Sequence, residues 1–129
     1  MPRRAVVLAL AMLIAQSGCA AAGGYRTLTL AHPPRAGETV YLEVRLGALA
    51  GGQEIEVLDD DSRSLGVISP HSIRAGRDAG TYTVPLPAEA IRGTRVRIRL
   101  ITTPAGGTAR DANADEVREV RVTGEDGKN

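Results

Sequence analysis

From residue 38 to residue 46 the chain reads ETVYLEVRL. Val40, Leu42, Val44 and Leu46 alternate with Thr39, Tyr41, Glu43 and Arg45. Successive side chains of an extended strand point to opposite faces, so this period of two turns one face to a core and the other to water. A helix would need apolar residues at every third or fourth position, a pattern nearly missing beyond residue 24. The two-residue period recurs in 25–30 (YRTLTL), 54–58, 65–68, 81–86 (TYTVPL), 94–102 (TRVRIRLIT) and 117–123 (VREVRVT). Turns bearing Gly, Pro or Asp separate these runs, as in Asp59-Asp60-Asp61-Ser62. A chain patterned this way is constrained to stacked or closed antiparallel strands.

About seven short strands in about 100 residues predict an all-β fold. The expected architecture is an antiparallel β-sandwich of immunoglobulin-like or fibronectin type III-like form, with a small β-barrel as the alternative. No Cys–Trp pair marks a true immunoglobulin domain, because Trp is absent. The core is expected to be aliphatic. Pro85 inside its run points to a sheet edge or a strand end, where a missing N–H does least harm. Residues 87–91 (PAEAI) suit a single helical turn with Pro at its start and Gly93 beyond it. The stretches 47–52 (GALAGG) and 105–108 (AGGT) read as flexible connections. The expected layout is a signal peptide at 1–18, a tether at 19–24, the β-domain at 25–123 and a frayed tail at 124–129.

The first 22 residues read as an export signal with a helical apolar centre. Arg3 and Arg4 form a basic start, 5–15 (AVVLALAMLIA) is an unbroken apolar run, and Gln16-Ser17-Gly18-Cys19 begins a small-residue end. The run is too short for a membrane-spanning helix, which needs about twenty apolar residues. Ser17-Gly18-Cys19 resembles the end of the lipobox in bacterial lipoprotein precursors, with Gln16 where a large aliphatic residue is usual. The resemblance implies that Cys19 becomes the lipidated first residue of the mature protein. Three acyl chains at about 0.8 kcal/mol per buried methylene would hold it to a membrane. Ala20 is not the Asp associated with inner-membrane retention, so an outer-membrane or cell-surface location facing the periplasm or exterior is implied. The other reading is cleavage after Ala20-Ala21-Ala22, which would release a soluble periplasmic or secreted domain.

Composition removes several function classes. Charged residues at 24% and apolar residues at 43% suit a soluble domain. Without Arg3 and Arg4 the charge balance falls just below neutral, so no field gathers nucleic acid. Three Tyr without Phe or Trp leave few stacking platforms for bases or sugars. One Cys rules out an internal disulfide framework and a thiolate cluster.

Four sets of residues carry candidate chemistry. Arg95, Arg97 and Arg99 point to one face of a strand, about 7 Å apart, and can clamp an anionic group or meet acids across the sheet. In an immunoglobulin order, Glu54 and Glu56 on one neighbour and Glu119 on the last strand would supply those acids. Asp111, Asn113 and Asp115 have the alternate spacing of calcium ligands. Glu116 and Val122, however, stand where an EF-hand needs Gly and Glu, so a solvated turn is the simpler reading, as it is for Asp59–Asp61. His32 and His71 lie beside prolines in loops and would bind a metal only if the fold joined them. His71 with Ser62 or Ser69 and Asp78 is the one arithmetical catalytic set, and no motif supports it.

The functional expectation is therefore an exported, lipid-anchored, non-catalytic domain that binds an envelope protein, with no cofactor and no nucleic acid. Loops 33–38, 69–80 and 104–115 are the expected contact regions, since loops on a rigid scaffold usually carry binding. A ligand- or metal-binding module is the second expectation, and a small secreted enzyme the third.

Overall fold

The computed structural model describes residues 24–71 and 74–126. Strands β1 (Tyr25–Thr29), β2 (Glu38–Ala48), β3 (Glu54–Leu58), β4 (Ser64–Ile68) and β5 (Asp78–Leu86) come first in the chain. A 3-10 turn at Ala88–Ala90 leads into β6 (Ile91–Arg92), β7 (Arg95–Thr103), β8 (Arg110–Asp111) and β9 (Val117–Asp126). All pairings are antiparallel. The all-β expectation is met, and each of the seven expected segments is a strand. The two additional strands, β6 and β8, are two residues each and too short for any periodic pattern to reveal.

The strands form two sheets. The first runs β1-β7-β3-β4, with β6 and β8 also paired to β7. Arg99 faces both Tyr25 and Leu58, so β1 and β3 lie on opposite edges of β7. The second sheet runs β5-β2-β9. One aliphatic core joins them. Val40, Leu42, Val44 and Leu46 from β2 meet Ile55, Val57, Val96, Ile98 and Leu100 from the first sheet, all buried. These are the inward positions that the two-residue period assigns.

Three features differ from the sequence expectation. First, the last strand does not flank the Arg-bearing strand β7. That edge is filled by β1 and then β8, and β9 instead pairs with β2 from Glu38↔Asp126 to Leu46↔Val117. Second, 47–52 is not simply a flexible connection. β2 continues through Gly47 to Ala48, and Leu49 joins the core. The ladder shifts register between Arg45 and Leu46, and Gly47 N–H donates to Glu116 O at 2.8 Å. A bulge of this kind lets a strand run on past a point where its partner turns away. Third, β9 runs to Asp126, three residues beyond the strand read from the sequence.

Pro85 sits on β5, an edge strand of the second sheet. Such a strand has one side with no ladder to serve, which accommodates the missing N–H. The 87–91 turn is present as a 3-10 turn with Pro87 at its N-cap. Gly93, at φ +63°, instead makes the tight connection between β6 and β7.

Candidate functional site

The outer face of the first sheet holds the arginine ladder. Arg95, Arg97 and Arg99 alternate with the buried Val96, Ile98 and Leu100, so all three guanidinium groups leave the core side. Across β1 they face Thr29, Thr27 and Tyr25 in register. The Arg97 guanidinium carbon lies 4.4 Å from the centre of the Tyr25 ring and that of Arg99 lies 5.8 Å from it. A cation held over a ring face gains from the ring's quadrupole, so Tyr25 orders this end of the ladder.

Acids answer two of the three rungs, and they are not the ones expected. Arg97 pairs with Asp60 at 3.2 Å. Arg99 donates from Nε to Asp111 Oδ1 at 2.7 Å and from Nη2 to Oδ2 at 3.2 Å. This two-pronged hydrogen bond raises the Arg99 guanidinium and lowers the Asp111 carboxyl from their ordinary values. Glu54 and Glu56 miss the ladder because their register partners on β7 are Thr103 and Ile101. Glu119 lies on the other sheet, where it pairs with Arg45 and Arg121. Arg95 has no ion-pair partner among the described residues.

A groove of about 340 Å³ opens at the Arg95 end of this face. Its lining is charged with both signs: Arg92, Arg95 and Arg97 are basic, Asp59, Asp60 and Asp61 come from the β3–β4 turn, and Glu89 comes from the 3-10 turn before β6. Local structure explains how these groups are placed. On the acidic side, Asp59 accepts from the backbone N–H of Asp61 and of Arg63, both at 2.8 Å, and closes the β3–β4 turn with its own side chain. Ser62 takes a positive φ of 62° to complete that turn, a conformation in which a short polar residue is tolerated. On the basic side, Gly93 and Thr94 form a two-residue hairpin connection, so Arg92 and Arg95 stand directly opposite each other. Sequence analysis missed Arg92 and Glu89. The signal for Arg92 was its spacing: two arginines flanking a Gly-Thr turn become cross-strand neighbours.

The other candidates occupy separate places. Asp111 is held by Arg99, as above. Asn113 Oδ1 accepts from the N–H of Asp115 and of Glu116, both at 3.0 Å, an Asx-type turn. Asp115 lies 3.6 Å from Arg118. His32 is exposed and its Nδ1–H donates to Pro33 O at 2.9 Å. His71 borders a different depression with Ser69, Pro70 and residues 51–54. Asp78 is 3.8 Å from Arg118, and Ser62 belongs to the acidic turn. Among the described residues, no cluster of three or more His, Cys, Asp or Glu side chains is placed to hold a metal. Cys19 and the whole export signal lie outside the described residues.

One buried polar network also escaped sequence analysis. Glu116 accepts from Arg110 at 2.7 and 3.0 Å, from Asn113 N–H at 3.0 Å, and from Gln53 Nε2. Gln53 Nε2 also donates to Thr102 Oγ1 at 2.8 Å, and Thr102 donates to Glu54 O at 3.0 Å. Burial pushes the Glu116 carboxyl up, but these hydrogen bonds outweigh it and hold the group below its ordinary value. Thr102 was the available signal. It continues the inward parity of Val96, Ile98 and Leu100, and a buried hydroxyl requires a partner.

A scan against protein-family models finds no match. Searches of curated proteins and of solved structures find no significant match either.

Proposed function

We propose that this chain is an exported, non-catalytic binding domain, tethered by lipid on Cys19, that engages an envelope protein through the outer face of its first sheet. The fold is taken as a sandwich, immunoglobulin-like only in the broad sense, since its last strand pairs with the opposite sheet from the one expected. The observation that supports this reading is the groove beside the arginine ladder. It is open to solvent and lined by charged side chains of both signs, a surface suited to recognition. Chemistry at a single reacting bond would call for a concave, mostly apolar pocket. The groove favours this face over loops 33–38, 69–80 and 104–115 as the principal contact. Because two of the ladder's three charges are answered locally and four carboxylates share the groove, nucleic acid is not the partner proposed. In the alternative, metal-binding reading, Asp111, Asn113 and Asp115 would have to release Arg99, two backbone N–H groups and Arg118 to serve an ion. A calcium-induced rise in melting temperature of the dialysed protein would favour that alternative.

The test uses the full-length precursor expressed in a bacterial host. Intact mass of the membrane fraction should show a species beginning at acylated Cys19, and Cys19→Ala should move the protein to the soluble fraction. Capture from envelope extract should then recover a protein that is lost with Arg97→Glu but retained when loop 104–108 is replaced. Equal recovery by wild type and Arg97→Glu would remove the sheet face from the reading.

A further inference from the structure

We propose that the groove binds a zwitterionic group, a phosphate oxyanion joined to a primary ammonium, as in phosphoethanolamine. This goes beyond the protein-partner reading by giving the same face a small ligand, and it does not depend on the lipid anchor. The β6–β7 hairpin places Arg92 and Arg95 in direct cross-strand register. Like charges directly opposite each other are unfavourable, and neither guanidinium has a carboxylate partner among the described residues. Arg97, the next outward rung on β7, is already taken by Asp60 and Tyr25. Two adjacent guanidinium forks without acids make a ready anion site. A phosphate, with two charged non-bridging oxygens in a diester and three in a monoester, spread tetrahedrally, can serve both forks together, whereas one planar carboxylate satisfies one fork.

The acidic lining narrows the ligand further. The groove carries four carboxylates, Asp59, Asp60, Asp61 and Glu89, against three guanidinium groups. A polyanion or an extended acidic segment would meet four charges of its own sign. Asp59 is spent on its turn and Asp60 on Arg97. Asp61 and Glu89 have no cationic partner among the described residues, so they can accept an ammonium group while Arg92 and Arg95 hold the phosphate. The groove, at about 340 Å³, has room for a ligand of this class. A headgroup of a membrane lipid and a free or glycan-borne phosphoethanolamine present the same chemistry.

The test titrates O-phosphoethanolamine into the full chain carrying Cys19→Ala and follows backbone amide resonances. Shifts are expected at 59–61 and 92–97, with inorganic phosphate or ethanolamine alone at least tenfold weaker. Arg95→Gln should weaken the zwitterion at least tenfold. The paired change Asp61→Asn with Glu89→Gln should weaken the zwitterion yet strengthen inorganic phosphate, a reversal that a loss of folding cannot produce. Vesicles containing phosphatidylethanolamine identify the source. Binding to them, but not to phosphatidylcholine alone, whose trimethylammonium donates no hydrogen bond, assigns the headgroup. Binding of the soluble ligand only assigns a free or glycan-borne source. Phosphate binding as well as the zwitterion, equal binding to purely anionic vesicles, or shifts confined to other residues would each overturn the proposal. Capture of the same envelope protein by wild type and Arg95→Gln, with no zwitterion binding, would keep the domain reading and remove this site.

Discussion

Glu116 shows how one side chain fixes a loop. The 104–115 connection is long and polar, yet its end is tied to the core edge by Arg110, Asn113, Gln53 and Thr102 converging on one buried carboxylate and its neighbours. Hydrogen bonds to a charged group contribute about 1.5–3 kcal/mol each, and a buried group left unpaired costs about as much. Glu116→Gln is therefore expected to destabilise the fold by about 2 kcal/mol at neutral pH, read as a lower urea midpoint with an unchanged slope. The sign with pH follows from the lowered carboxyl. Stability from the ionised Glu116 is fully present above its unfolded value and is lost as pH falls through the lower, folded value. The gap between wild type and Glu116→Gln should thus narrow through the acid range. A gap that stays constant would mean that the charge contributes nothing.

At the scale of elements, β2 was the most legible part of the chain, because every second residue is a full-sized aliphatic over one long run. The pairing of strands was less legible. A two-residue period says which face a side chain takes, but not which strand lies beside it. Glu119 illustrates this. Its outward parity was readable, while its neighbour, Arg45 on β2, followed from β1 and β8 already filling the edge of β7. The ladder Arg95–Arg97–Arg99 was equally readable, whereas Arg92 was readable only through the Gly-Thr turn before Arg95, since β6 is two residues long. Gly47 makes a related point. Its glycine character reads locally as flexibility, but a Cβ there would collide with the Asp115 carbonyl oxygen. The residue is small because the 113–117 turn docks on β2 at that point. Gly47→Ala should cost about 1–3 kcal/mol through forced backbone shifts, measured as a drop in the urea midpoint. Gly37→Ala, where nothing lies within 4 Å but φ is +78°, offers a comparison in which only backbone strain is tested.

For the molecule as a whole, the two sheets share one aliphatic core, so neither has a hydrophobic face of its own to keep. Unfolding should be a single cooperative transition. The three tyrosines report on both halves, Tyr25 on the first sheet and Tyr41 and Tyr82 on the second. Tyrosine fluorescence of wild type and of Tyr25→Phe, together with far-UV circular dichroism, should give coincident urea midpoints within each protein. Separate midpoints would show that the sheets come apart independently. The charged surface contributes little to this balance, since exposed ion pairs such as Arg45–Glu119 are worth about 0–1 kcal/mol each. Fold class was therefore written in the apolar pattern, while the groove depends on which turns the strand order brings together.

The first strand also determines how the domain meets a mechanical load. Any tension carried by the residues before Tyr25 enters the fold at β1, a five-residue strand whose hydrogen-bonded ladder is to β7 alone. A pull along the strand axis strains all of those rungs at once, whereas a pull across it opens them one after another from Tyr25. In either direction β1 is the first element to yield, while β2 stays clamped between β5 and β9. Under a pull across the sheet, the swing of the detached strand thus gives a built-in slack of about 17 Å before the central strands bear force.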